Sequence, residues 1–184
     1  MSMKNRLGRT LNTPLSPPYS ESSAHHEIQL HVNDEVVTAR VESRLLLTDF
    51  LRHRIGLTGT HVGCEQGTCG ACTILLDGKA IRSCLMLAVQ ANGRTIRTVE
   101  GLAVSDEKLS SIQKAFHEQH GMQCGFCTPG FLMSLSGLAE QGGPKNDAEL
   151  DDHLCGNICR CTGYVNIRRA ARQAMDLDAV ESDE

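Results

Sequence analysis

Nine cysteines stand out in this 184-residue chain, and eight of them fall into two spaced sets. Cys64, Cys69 and Cys72 follow the spacing C-x4-C-x2-C, and Cys84 comes shortly after. This spacing is one that holds [2Fe–2S] clusters. Three thiolates converge from one short loop, and glycines let the backbone wrap tightly round an anionic group. Gly63, Gly67 and Gly70 are placed for this, allowing positive φ and a close approach of amide N–H groups to sulfur. The second set pairs Cys124 and Cys127 (C-x2-C) with Cys159 and Cys161 (C-x-C). The competing chemistry at both sets is zinc. Zinc knuckles favour C-x2-C at both ends, which Cys64–Cys69 does not match, and a C-x-C pair strains a mononuclear tetrahedral site while suiting two irons. Cys155 is left over and reads as a small thiol at a helix end rather than a ligand.

The remaining chemistry-bearing residues add no second centre. No C-x-H or C-x2-H pairing accompanies the eight histidines, so a Rieske-type site is excluded on spacing. His25-His26 is expected in a solvated extension, and His117 and His120 lack the carboxylate of an H-E-x-x-H motif. There is no G-x-G-x-x-G, no G-x-x-x-x-G-K-[ST] and no nucleophile elbow. Two one-electron carriers with no substrate site read as a relay, the chemistry lying on another chain whose cofactor handles two-electron steps.

The elements that must position these cysteines change character midway. Ile28, Leu30 and Val32, then Val37, Ala39 and Val41, alternate about Asn33-Asp34 and predict a β-hairpin. Leu46, Leu47, Phe50, Leu51 and Ile55 predict a helix over 45–55. Thr73 to Leu76, a return near Ala80-Ile81 after Asp77-Gly78, and Arg94 to Val99 read as strands. Beyond Gly101 the pattern predicts helices over 106–119, 129–140, 147–154 and 164–177. Thr128 is expected as an N-cap before Pro129, and Thr162-Gly163 as a similar start. Two helix N-termini would then face the second cysteine set and stabilise its negative charge. The fold class expected is α+β.

Composition narrows the function classes. Eighteen basic residues against 22 acidic ones give a net charge of −4, against a nucleic-acid role driven by charge. No apolar run reaches the roughly 20 residues that span a bilayer. The odd cysteine count and the lack of an apolar leader argue against a secreted disulfide framework, so a reducing, cytoplasmic setting is expected. With no Trp, 2 Tyr and 4 Phe, a metal-organised core is the natural complement to sparse aromatics.

Three longer segments carry a resemblance. Gly63-Cys64-Glu65-Gln66-Gly67-Thr68-Cys69-Gly70-Ala71-Cys72-Thr73 with Ser83-Cys84, Gln123-Cys124-Gly125-Phe126-Cys127-Thr128-Pro129-Gly130, and Gly156-Asn157-Ile158-Cys159-Arg160-Cys161-Thr162-Gly163-Tyr164 resemble the small iron–sulfur subunits of molybdenum hydroxylases, the xanthine dehydrogenase/carbon monoxide dehydrogenase family. The resemblance spans about residues 27 to 175. The Pro/Ser-rich residues 1–26 read as a flexible extension, and over 27–102 the resemblance implies a β-grasp, plant-type ferredoxin-like [2Fe–2S] domain. A four-helix bundle [2Fe–2S] domain over 103–178 and an acidic tail over 179–184 would follow. Cys124, Cys127, Cys159 and Cys161 would hold the cluster nearest a molybdenum–pterin cofactor on a large partner subunit, and Gln123 would hydrogen-bond the pterin. Cys64, Cys69, Cys72 and Cys84 would hold the cluster facing FAD on a medium subunit. The chain would relay electrons singly between the two as a non-catalytic subunit of an oxidoreductase, within a dimer of heterotrimers. An independent two-cluster electron carrier and a zinc-stabilised interaction module are the alternatives. Cys155, where the family pattern leads us to expect Ser or Gly, and the long N-terminal extension depart from that pattern.

Overall fold

A computed structural model describes residues 24–103, 105 and 108–177. Most of the N-terminal extension and the acidic tail lie outside these residues. The chain begins with the expected hairpin, β1 (His25–Val32) against β2 (Glu35–Glu42), in register from His25↔Glu42 to Val32↔Glu35. Asn33 and Asp34 both take positive φ, 48° and 68°, as the twist of a two-residue hairpin turn demands. β1 starts two residues earlier than the domain boundary expected from sequence, so His25 and His26 are strand residues. Their side chains are exposed, and His26 Nε2 lies 2.9 Å from Ser43 Oγ.

β3 (Thr73–Leu76) turns at Asp77-Gly78 into β4 (Lys79–Arg82), and β5 (Thr95–Arg97) completes a five-stranded sheet of order β2-β1-β5-β3-β4. β5 runs parallel to β1 and antiparallel to β3. It stops at Arg97, where a 3₁₀ turn at Val99–Gly101 takes over, short of the expected Val99. α1 (Leu47–Asp49) runs on through a π-wound turn, Phe50–Arg54. Leu47, Phe50, Leu51 and Ile55 are buried against Ile28, Leu30, Val32, Ile74 and Ile96. Leu46 is left half-buried at the helix entrance, where it bridges to Leu87.

All four residues of β3 are buried, where a strand with one wet face would alternate. The cause is the second half of the chain. α3 (Thr128–Glu140) lies on the other face of β3 and β4, and its close approach is set by glycine. A Cβ on Gly137 would stand 3.0 Å from Leu75 Cδ2 and 3.1 Å from Ala80 Cβ, and one on Gly130 only 2.3 Å from Gly70 O.

α3 is buried from Gly130 to Gly137 and forms the spine of the helical half. α2 (Ser111–Glu118) starts later than the expected 106, at a capping box: Gln113 N–H donates to Ser110 Oγ, and Ser110 N–H to Gln113 Oε1. α4 (Asp147–Leu154) is capped by Asn146, whose Oδ1 accepts from Glu149 N–H. α5 (Val165–Ala174) buries Ile167, Ala170 and Ala171. Its polar side is tied to α4 by Arg168, which donates to Asp151 Oδ1 (2.6 Å) and Asp147 Oδ2 (2.9 Å), and by Arg172 on Asp147. Phe116, Phe131, Leu135 and Leu150 fill the core between the helices. Three of the four phenylalanines are thus core residues, one in the sheet half and two in the helical half. The fourth, Phe126, is half exposed.

Candidate cluster sites

The first cysteine set lies between α1 and the end of the β3–β4 hairpin. Gly67 and Gly70 turn the loop with φ of 78° and 75°. Gly63 serves a different purpose from the one expected: it supplies room rather than positive φ, since a Cβ there would meet Cys69 Sγ at 3.0 Å. Cys64 and Cys69 are half-buried and their thiols are in contact. Cys72 and Cys84 are buried, and their thiols touch each other. Ser83 locks this second pair in place, with its N–H and its hydroxyl both donating to Cys72 O.

The second set joins two distant stretches. Cys124 precedes α3 and Cys127 occupies its N-cap position, accepting from Phe131 N–H. Cys159 and Cys161 lie on the loop between α4 and α5. Cys124 Sγ and Cys161 Sγ stand 3.5 Å apart, both exposed, and the Cys127 and Cys159 thiols meet on the inner side.

Each set is therefore two pairs: 64 with 69 and 72 with 84, then 124 with 161 and 127 with 159. Among the described residues no three His, Cys, Asp or Glu side chains converge to hold a lone metal ion. A tetrahedral metal with thiolates at about 2.3 Å sets two of them about 3.8 Å apart, close to the Cys124–Cys161 separation. Four thiols in two close pairs are a donor set that would fit a cluster of two irons.

Within each site some thiols are held ready for charge and others resist it. The N–H groups of Gln66 and Cys69 bring the Cys64 thiol down to about 6. Burial pushes Cys72 up to about 11 and Cys127 up to about 12, with the neighbouring cysteine adding to each. Burial also raises Cys159, but the Thr162 hydroxyl (3.2 Å), the Thr162 N–H (3.4 Å) and the Cys161 N–H outweigh it and hold this thiol below its ordinary value. Cys161 is raised by its contact with Cys124. The buried thiols ionise at the expense of desolvation, which a bound cation offsets.

Two expected helix caps turn out otherwise. Thr128 is the first residue of α3 rather than its cap, and its buried Oγ1 has no hydrogen-bond partner. Thr162 is committed to Cys159 Sγ, so the position before α5 falls to Tyr164, in the left-handed region at φ 70°. Tyr164 also accepts from Cys159 N–H at its hydroxyl, 3.0 Å away. Of the two helix N-termini expected at this set, α3 begins directly after Cys127, its N-cap residue, whereas α5 begins four residues beyond Cys161. Gln123 is exposed beside Cys124, and Cys155, the C-cap residue of α4, is exposed and joins neither set.

Two family models match the chain. The 2Fe-2S iron-sulfur cluster binding domain covers residues 30–103, and the [2Fe-2S] binding domain covers residues 98–172. The gamma subunit of caffeine dehydrogenase from Pseudomonas sp. (strain CBB1) is 52% identical over 162 residues, spanning 86% of this chain and 96% of that protein. The small subunit of nicotine 6-hydroxylase from Paenarthrobacter nicotinovorans is 52% identical over 148 residues, spanning 80% of this chain and 88% of its own. Among solved structures, quinoline 2-oxidoreductase from Pseudomonas putida 86 superposes with a TM-score of 0.77 at 46% identity, covering 87% of this chain and 98% of the matched one.

Proposed function

Because this chain belongs to the small iron–sulfur subunits of the molybdenum hydroxylases, we propose that Cys64, Cys69, Cys72 and Cys84 hold one [2Fe–2S] cluster. Cys124, Cys127, Cys159 and Cys161 hold the other. The observation that carries this is the pairing of thiols, two pairs in each set. Bound there, the clusters supply one-electron carriers that link a molybdenum–pterin centre on a large partner subunit to FAD on a medium one.

The chain's own residues do the rest. Gln66, Cys69, Cys161 and Thr162 aim N–H groups at sulfur, stabilising thiolate charge and so the cluster's more negative state. Burial of Cys72, Cys84 and Cys159 keeps water from the inner side of each site. On the outer side of the helical site Gln123, Cys124 and Cys161 are exposed, and their neighbours along the chain, Met122, Phe126, Ile158, Tyr164 and Val165, are large apolar side chains also open to solvent. Apolar residues gathered round exposed ligands make a docking face, and here it receives the large subunit, with Gln123 donating to the pterin. The helical half acts as a four-helix bundle that carries this face. The assembly is a dimer of heterotrimers in the cytoplasm.

The substrate belongs to the large subunit. Caffeine, nicotine and quinoline, named for the relatives, are all nitrogen heterocycles, and we assign this complex a substrate of the same class. Co-purify the chain with its neighbouring subunits and add such heterocycles anaerobically. Molybdenum, FAD and bleaching of the iron–sulfur absorbance on substrate addition are expected. A chain that purifies alone with both clusters and no large partner would instead mark an independent carrier.

A further inference from the structure

The helical site is assembled from two chain segments, and each is tied to the sheet half by a side chain that the cluster chemistry does not use. On one side stands Arg82, at the end of β4, two residues before Cys84. Its Nη1 donates to Thr73 Oγ1 (2.6 Å) and its Nη2 to Gly156 O (2.5 Å). Thr73 in turn donates to Gly70 O, which also accepts from Asn157 Nδ2 (3.1 Å), and Ile158 N–H donates to Cys69 O (2.9 Å). One guanidinium thereby joins the strand ends that carry Cys72 and Cys84 to the peptide that runs directly into Cys159. Charge-assisted bonds from a rigid two-pronged donor fix direction as well as distance.

On the other side stands His61, three residues before Cys64. Its Nδ1 lies 2.7 Å from Phe126 O, and because a carbonyl only accepts, Nδ1 carries the proton. The imidazole also stacks on the Phe126 ring, with centroids 4.8 Å apart and planes 16° apart. Phe126 lies between Cys124 and Cys127, so His61 holds the first segment as Arg82 holds the second. Among the described residues the thiol pairs join the two segments within the helical half, and Asn166 Nδ2, donating to His120 O (3.4 Å), joins the chain just outside them.

We propose that Arg82 and His61 are positioning residues for electron transfer between the two sites. Each clasps one segment of the helical site to the sheet half and so sets the separation and orientation of the two cysteine sets. Electron tunnelling falls steeply with separation, so a slackened clasp slows transfer with both sites intact. The proposal rests on the reading that each cysteine set holds a cluster.

The test uses the full chain with both clusters loaded. Iron per chain, the magnetic splitting between the two reduced clusters and hydrogen exchange are compared in Arg82→Ala, His61→Ala, the double variant, Arg82→Lys and His61→Asn. Loss of splitting is expected in the double variant with full iron, and a smaller loss in each single. Arg82→Ala is expected to speed exchange over 156–160, and His61→Ala over 124–127. His61→Asn, which keeps a donor, restores part of the effect, and Arg82→Lys, which can reach only one of the two acceptors, restores less. Wild-type splitting in the fully loaded double variant overturns the proposal. So does loss of iron from both conservative variants, since the residues would then serve cluster assembly rather than spacing. A wild-type chain that lacks the iron of two clusters fails the underlying reading itself and is seen before any variant is made.

Discussion

The two cysteine sites are alike in chemistry and different in how the chain builds them. In the sheet half, Cys64 and Cys69 come from one loop, and Cys72 and Cys84 are brought together by the β3–β4 hairpin. Each pair is closed by local structure that the sheet already enforces. In the helical half, both pairs cross between the segment entering α3 and the segment leaving α4. Neither pair forms unless the helices have already packed. The same ligand chemistry is thus an addition to a fold in one half and a staple of the fold in the other.

Removal of iron is expected to have the largest effect. Chelation under reducing conditions is expected to unfold the helical half first, because binding free energy there is folding free energy. Hydrogen exchange should show early loss of protection at Phe116, Leu135 and Ala171, while β1 and β2 stay protected. Equal loss in both halves would remove the distinction.

Next in size are cysteine substitutions. Cys84→Ser is expected to cost the sheet site its cluster and leave the helical one, whereas Cys155→Ser should leave both, since this exposed thiol joins neither set. Iron analysis of each variant decides it, and iron loss from Cys155→Ser would overturn the ligand assignment.

A smaller effect is expected at the seam between the halves. Gly130→Ala would place a Cβ 2.3 Å from Gly70 O, a backbone atom that cannot swing aside. A loss of about 1–3 kcal/mol of unfolding free energy, seen as a lower denaturation midpoint, is expected, as for other overpacked sites. The same substitution at Gly93, where a Cβ meets nothing within 4 Å but φ is 75°, carries only backbone strain.

The smallest effect concerns pH. The Thr95 N–H and the Arg94 guanidinium hold the Asp77 carboxyl below its ordinary 3.8. A depressed folded-state value contributes stability above the unfolded value and loses it as pH falls through the folded one. Asp77→Asn should therefore weaken the sheet half slightly at neutral pH, and the difference should fade as the pH falls through the depressed Asp77 value. Asp77 is largely exposed, so the difference stays small.

The cysteine spacings, the Asn33-Asp34 hairpin and the later helices were legible in the sequence because each rests on local periodicity or a short motif. What escaped was decided by distant partners. Gly63 reads as a positive-φ turn residue until Cys69 Sγ is seen against it. Thr162 reads as a cap until its hydroxyl is found on Cys159. Thr73 to Leu76 reads simply as a strand, and only α3 against its second face explains why all four residues are buried. Arg82 and His61 carry no motif at all, since the helical-half acceptors they hold, Gly156 O and Phe126 O, lie 74 and 65 residues away along the chain. A basic residue close before a ligand cysteine was the only available signal.

The central claim is that both sets hold two-iron clusters, and metal and sulfide content tests it most directly. The full chain, purified anaerobically, should contain about four irons and about four acid-labile sulfides, two of each for each matched [2Fe–2S] domain. Reduction should then give two distinct paramagnetic signals. Zinc in place of iron, or iron without sulfide, would contradict the account.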